Sequence, residues 1–482
     1  MVAVLLGALL GLLTIVKVFD MGFLAVLARP FDPVLDWYAI MAGVEFVDSS
    51  VGGAAAVGAV VAAVAAAGAV IALMALSVRR LARVAARHAT TASRTLMTFG
   101  VVWVTCVLLG VQIAPDVPLA ANGTATLAYD HGRQMVTGLQ DQRAFAAEAA
   151  DDAFADTPDE ELLTALRGKD VVLAFIESYG RDAVQNPRFE PEVGAVLDEG
   201  ESRLNEAGFT SQSAFLTSST VGGSSWLAHA TMLSGLWIDN QQRYRNLVTS
   251  DRLTLTGAFQ RAGWQTAAMM PGVDRAWPEG GFFGYDRIYP SQELGYRGPP
   301  FSWSNMPDQY TLSAFERLER ANPDRDSTPL MADIPLISSH APWDPIPELI
   351  DWDDIGDGSV YESMATESHP IRTITQRDPE QVRDDYRKAV EYSLNSLISY
   401  AETYGDEDLV LIFLGDHQPS PVVTGEDASR DVPITIVSGD PDVFDHISDW
   451  KWQDGLHPDA QAPTWRMDAF RDRFLTAFGP QS

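Results

Sequence analysis

At 482 residues the chain has room for about two or three domains. Its single cysteine, Cys106, lies in an apolar run, so no disulfide framework holds the chain together and any exported portion folds on its core alone. Residues 1–114 hold seven Lys/Arg against five Asp/Glu, so 115–482 carry a net charge of −33, and a surface that acidic repels nucleic acid.

Val2 to Val16 is an uninterrupted apolar run, slightly short of the roughly 20 residues that span a bilayer. It lacks the flanks of a signal peptide and reads as a first membrane helix. Residues 17–53 mix apolar stretches with Asp20, Arg29, Asp32, Asp36, Glu45 and Asp48. Within them Arg29 to Trp37 (RPFDPVLDW) reads as an interfacial loop with an aromatic anchor. Ala54 to Val78 and Leu96 to Ala114 both reach spanning length. The loop between them, RRLARVAARHATTASR, holds five arginines and no acid, which places it in the cytoplasm and everything after Pro115 outside. Residues 1–114 thus predict a multi-pass region of about three transmembrane helices in the cell membrane.

Residues 115–168 read as a helical connector. Thr157 and Pro158 suit a helix start, Asp159 to Glu161 favour its dipole, and Gly168 suits its end. From Asp170 strands alternate with helices: VVLAFI ends at Glu177, Pro191–Ala207 is a helix, and SAFL (Ser213–Leu216) leads into a Gly/Ser loop. Leu255–Ala262 is helical, QTAAMM and DIPLISS are strands, and Asp384–Tyr404 is an amphipathic helix ended by Gly405. LVLIFL (Leu409–Leu414) and VPITIV complete the pattern. Repeated βα units predict a doubly wound, mostly parallel α/β sheet over 169–482, preceded by the transmembrane helical region.

Two apolar strands therefore deliver chemistry to one sheet edge, where open α/β folds bind ligands. Glu177 follows the first, and Asp416 and His417 follow the second across Gly415. Two carboxylates and an imidazole suit one divalent cation, Zn, Mn or Mg, with a position left for a nucleophile or substrate oxygen. The candidate nucleophile lies in STVGGSSWLAHATMLSGL, where two serines, Ser224 and Ser225, open a helix whose N-terminus favours an anion. An isolated GGSS is more commonly only a loop and a cap.

Together these residues resemble the sulfatase branch of the alkaline phosphatase superfamily, in particular its membrane-anchored lipoteichoic acid synthases and phosphoethanolamine transferases. The shared order is membrane helices, strand-Glu-Ser at Glu177-Ser178, a Gly-rich loop with a hydroxyl, strand-His-x-Pro-aromatic at His340 to Trp343, then Gly-Asp-His. It covers roughly Asp170 to Val437. The resemblance implies that Glu177, Ser225, Asp416 and His417 hold one metal, that Ser225 is the nucleophile, and that His340 holds substrate phosphate. The Gly284–Asp286 segment (GYD) implies that Arg275 and Trp277 lie near the headgroup. Spacing to Met232–Gly235 favours Ser225, with Ser224 as rival. Sulfatases use a C/S-x-P-x-R motif; here Leu227 stands for the Pro and His229 for the Arg, which disfavours formylglycine and sulfate-ester hydrolysis. The implied activity is phosphoryl transfer or hydrolysis on a phospholipid headgroup or other cell-envelope ester. A catalytically inactive glycan- or lipid-binding domain competes with it, but all four site positions are filled.

Overall fold

A computed structural model describes residues 1–27, 31–32, 36, 41, 43–44, 53–108, 112–114, 117–118 and 141–480, apart from 275–276, 302, 324, 326, 366–376 and 426. The chain forms two compact units, Met1–Ala25 with Arg29–Arg143, and Val26–Ala28 with Ala144–Ser482.

In the first unit α1 (Val2–Leu27) runs well past Val16. Lys17 and Asp20 do not end it. Asp20 is buried and accepts the Phe31 N–H at 3.0 Å, while Phe31 packs on Phe19 and Phe23, so a returning segment satisfies the charge. Most of the predicted interfacial loop lies outside the described residues. Helix α2 (Gly53–Arg87) absorbs the first four arginines of the predicted cytoplasmic loop, because Leu81, Ala82, Val84, Ala85 and Ala86 propagate the helix past its apolar stretch. Helix α3 (Ala89–Leu108) starts within the loop's polar ATTASR and ends before Ala114; Gln112–Ala114 pairs with Val117–Pro118 as a small antiparallel ribbon. Among the described residues two helices, Val2–Leu24 within α1 and α2, are long and apolar enough to cross a membrane. The region has the make-up of a membrane anchor; the third expected span, Leu96 to Ala114, lies partly outside the described residues.

The second unit is built on a nine-stranded sheet. Its strands are β1 (Asp170–Ile176), β2 (Thr210–Thr217), β3 (Gln265–Met270), β4 (Arg287–Pro290), β5 (Leu330–Leu336), β6 (Leu409–Gly415), β7 (Asp431–Ser438), β8 (Gln453–Asp454) and β9 (Thr464–Arg466). Their order is β8-β2-β7-β6-β1-β5-β3-β4, with β9 pairing β2. The centre is parallel: β1 lies between β5 and β6, with Ile176 opposite both Leu336 and Gly415. The VPITIV strand, β7, runs antiparallel to both neighbours. The sheet is therefore mixed but mostly parallel, as the βα pattern predicts.

Both faces of the central strands are buried, which explains their unbroken apolar runs. Val171, Leu173 and Phe175 of β1 join Val410, Ile412 and Leu414 of β6 in one core, which also holds α5 (Ser225–Ser234) residues Leu227, Ala228, Met232 and Leu233. Val172, Ala174 and Ile176 join Leu409, Leu411 and Phe413 in the other, against α4 (Glu190–Glu206) and α6 (Pro379–Tyr404). Helix α6 begins five residues before its expected start, capped by Asp378, whose side chain accepts the Glu380 N–H at 2.9 Å. The connector helix expected after Pro158 is instead two 3-10 turns, Asp159–Glu161 and Thr164–Leu166. Leu162, Leu163 and Leu166 are all buried. Between the two turns Leu163 takes the left-handed conformation at φ 54°, which breaks the continuous helix the sequence suggests.

Candidate active site

The site sits where β1 and β6 end side by side. Gly415 closes β6 because its backbone passes Tyr179 so closely that a Cβ would lie 1.8 Å from the Tyr179 carbonyl oxygen. The next residue of each strand faces the same spot: the Glu177 N–H donates to Leu336 at 3.0 Å and the Asp416 N–H to Ile176 at 3.3 Å. Helix α5 brings the nucleophile candidate. Gly222 (φ 70°) and Gly223 (φ 149°) turn the chain toward it, and the Gly222 N–H bonds the Gln418 carbonyl at 2.8 Å, tying this loop to the β6 loop.

Four predicted residues converge. Ser225 Oγ lies 2.8 Å from Glu177 Oε2 and 3.2 Å from His417 Nε2. His417 Nε2 lies 3.3 Å from Glu177 Oε1 and 3.5 Å from Asp416 Oδ2. The ligand atoms of Glu177, Asp416 and His417 all lie within 4.8 Å of one another, and all three side chains are buried. His417 Nδ1 faces the Gln418 carbonyl oxygen at 2.9 Å. A carbonyl only accepts, so Nδ1 carries the proton and Nε2 presents a lone pair to the cluster when the ring is neutral. Asp416 Oδ1 accepts the Ser178 and His417 N–H groups at 2.8 and 2.7 Å, whereas its Oδ2 is buried with no hydrogen-bond partner among the described residues.

The electrostatics express the same crowding. Burial and then the Glu177 charge push the Asp416 carboxyl up. Burial opposes ionisation of Glu177 too, but His417 and His340 hold it well below the usual carboxylate range. Burial would lower His417, yet the Asp416 and Glu177 carboxylates outweigh it and raise the imidazolium to about 9. Two acids and one imidazole thus share one proton-like positive charge, and one acid oxygen is unmet. That donor set fits a divalent cation.

His340 follows β5, the other neighbour of β1. Ser339 Oγ donates to the Glu177 carbonyl at 2.6 Å, stitching this loop to the cluster. Trp277 is partly buried and its ring packs on Phe283 at 5.5 Å and Tyr285 at 6.1 Å, within the hydrophobic core. Arg275 lies outside the described residues. His229, one turn beyond Ser225, stacks on Phe175 at 3.8 Å and is driven down to about 3 by burial, so it is a neutral core imidazole. Ser224 is the N-cap of α5, but at φ 67° it makes no side-chain cap bond, against the capping role its position suggests. Sequence reasoning assigned no role to Ser178 or Ser339. Each adjoins a site residue in the chain, Glu177 or His340, and that adjacency was their only signal.

No protein-family profile matches the chain, and no curated protein matches it. Solved structures do. The integral membrane lipooligosaccharide phosphoethanolamine transferase A of Neisseria meningitidis matches with a TM-score of 0.50 at 12% identity, over 98% of this chain and 84% of that one. The lipoteichoic acid synthase LtaP of Listeria monocytogenes matches with a TM-score of 0.42 at 15% identity, over 66% and 74%. The phosphoglycerol transferase GacH of Streptococcus pyogenes matches with a TM-score of 0.37 at 13% identity, over 61% and 74%. The likeness to the Neisseria protein, which extends over almost the whole chain, shows the fold: an alkaline phosphatase-type α/β domain carried behind apolar N-terminal helices.

Proposed function

We propose that this chain is a membrane-anchored, metal-dependent phosphoryl-ester transferase or hydrolase. It uses Ser225 as nucleophile on a phospholipid headgroup of the phosphoglycerol or phosphoethanolamine type. The observation that carries this reading is Ser225 Oγ at a helix N-terminus, within hydrogen-bond reach of both Glu177 and His417, beside the unmet Asp416 Oδ2.

Glu177, Asp416, His417 and Ser225 would hold one divalent cation, Zn, Mn or Mg. When bound it would lower the pKa of the serine hydroxyl and offset charge on the transferring group. Ser225 Oγ forms a bond to phosphorus as the bond to the departing lipid oxygen breaks, and an acceptor alcohol or water then resolves the phosphoseryl intermediate. The amide groups at the start of α5 stabilise the phosphoryl oxygens. His340 holds or protonates a substrate oxygen. On this reading residues 1–114 anchor the protein, 115–168 connect, and 169–482 form the catalytic domain at the outer membrane face. Its partners are the bilayer and its lipids, and Arg275 and Trp277 contribute to the headgroup side.

The test uses the full chain in detergent with phospholipid vesicles and added Zn, Mn or Mg. Ser225→Ala should keep its fold and bound metal and lose turnover by about a thousandfold or more, together with any phosphoenzyme. Full activity in Ser225→Ala, or a labelled phosphopeptide carrying Ser224 instead, overturns the assignment.

A further inference from the structure

Trp303 is a large apolar side chain left 43% exposed, yet it is not idle. Its indole lies flat on the His340 imidazole, with ring centroids 4.2 Å apart and planes 14° from parallel. The two residues come from separate loops, Trp303 from the segment after β4 and His340 from the end of β5. Phe301 and Ser304 on either side of the Trp303 turn exchange backbone bonds at 2.8 and 3.0 Å, and Ser304 Oγ donates to the Met306 carbonyl at 2.7 Å, so the loop is braced. The imidazole is held from a second direction as well. Its Nδ1 faces the Ala341 carbonyl oxygen at 2.6 Å, which makes Nδ1 the donor and leaves Nε2 as the ring nitrogen without a hydrogen bond among the described residues. A hydrogen bond along one ring edge fixes the tautomer but permits tilt about that bond. A flat aromatic partner removes the tilt.

We propose that Trp303 is a positioning residue that acts through His340. It holds the imidazole plane so that Nε2 meets the substrate oxygen at a fixed angle. Misplacing an acid–base or phosphate-holding group by a small angle costs rate rather than binding. This role rests on the phosphoryl-transfer reading for its kinetic consequence but not for its structural one, and the experiment separates the two.

Two measurements on the full chain test it. The first is turnover of labelled phospholipid vesicles by Trp303→Ala, Trp303→Phe, His340→Ala and the Trp303→Ala/His340→Ala pair. Trp303→Ala should lose about tenfold or more in kcat with KM changed less than about twofold, and Trp303→Phe, which keeps a flat ring, should recover most of the loss. In the His340→Ala background the Trp303→Ala change should cost nothing further, since the residue it acts through is gone. The second measurement needs no activity: the rate of His340 modification by diethyl pyrocarbonate, read by peptide mass spectrometry. It should rise several-fold in Trp303→Ala and stay near the wild-type rate in Trp303→Phe. Fully additive kinetic losses, a loss confined to KM, or an unchanged modification rate in Trp303→Ala each overturn the proposal. A wild-type chain without turnover refutes the phosphoryl-transfer reading instead, and the modification rates still decide the stack.

Discussion

Two buried charge clusters in the second unit make an instructive pair. In one, Arg471 Nη2 reaches both oxygens of Asp152 at 2.7 and 2.8 Å, Arg252 Nε lies 3.4 Å away, and Asp472 sits on Arg471 Nη1 at 2.8 Å. The Phe154 and Leu253 N–H groups complete Asp152 at 3.0 Å each. Burial works against the Asp152 charge, but Arg471 and these partners still hold its carboxyl below the usual range. In the other cluster Glu177 and Asp416 share His417, and Asp416 Oδ2 has no hydrogen-bond partner among the described residues. A balanced cluster is a structural clasp, joining the connector to the body of the domain. An acid-rich one has the donor set of a cation site.

The sharpest way to break that contrast is to remove one carboxylate charge from each cluster. Asp152→Asn leaves two buried arginines with less counter-charge and should cost about 3–5 kcal/mol, with the same loss whether or not metal is present. Asp416→Asn keeps an oxygen for the Ser178 and His417 N–H groups and deletes only the crowded charge. In the presence of chelator it should therefore leave stability unchanged or raise it by about 1 kcal/mol. With metal the order reverses, because wild type gains binding energy that the variant forfeits. Thermal melts of both variants, with and without metal, check this. A chelator that leaves the wild-type melt unmoved, or an Asp416→Asn variant destabilised as much as Asp152→Asn, would sink the distinction.

A third buried acid refines it. Asp333 on β5 accepts a hydrogen bond from Tyr285 Oη, its Oδ1 is unpartnered, and burial pushes its carboxyl up to about 7. A carboxyl raised above its unfolded value stabilises the fold only while it stays protonated. Its contribution is full below the unfolded pKa near 4 and is lost as pH rises through about 7. Between pH 5 and pH 8 it should remove about 2–3 kcal/mol of wild-type stability. Asp333→Asn should reduce the slope there, leaving the shares of Asp308, which burial raises to about 6, and of Asp416, which burial and the Glu177 charge also raise. Urea melts at the two pH values measure the difference, and an unchanged slope in the variant would refute the assignment.

What the sequence disclosed follows the same physics. The strands β1 and β6 were legible because burial on both faces demands unbroken apolar runs, and the site residues were legible because they follow those runs directly. Short edge strands such as β4 (RIYP), β8 and β9 carry no such demand, since one side of an edge is unpaired and polar residues and Pro are admitted there. The stack of Trp303 on His340 joins loops far apart in the chain, and no local pattern encodes it. The connector helix failed although its local signals were sound: the chain turns left-handed at Leu163 between two short 3-10 turns, and no residue there marks that turn in the sequence.

The smallest effect concerns the serine pair at the head of α5. Adjacent serines before a helix suggest that one caps and one reacts, and removal of a cap costs typically about 1 kcal/mol. Ser224 occupies the cap position but makes no side-chain cap bond, and its φ of 67° puts it in the left-handed region, which penalises any residue with a Cβ. Its contribution to the fold is therefore a strained backbone. Ser224→Ala should be close to neutral in melts, because no hydrogen bond is lost and the strain is shared by both residues. Ser224→Gly should gain up to about 1 kcal/mol by relieving that strain, with turnover and metal content intact. Ser225 beside it has two partners in the cluster, so its substitution should abolish activity and cost about 1 kcal/mol in the melt for the hydrogen bonds lost. A Ser224→Gly variant that loses turnover while Ser225→Ala retains it would exchange the two roles and move the nucleophile to the strained position.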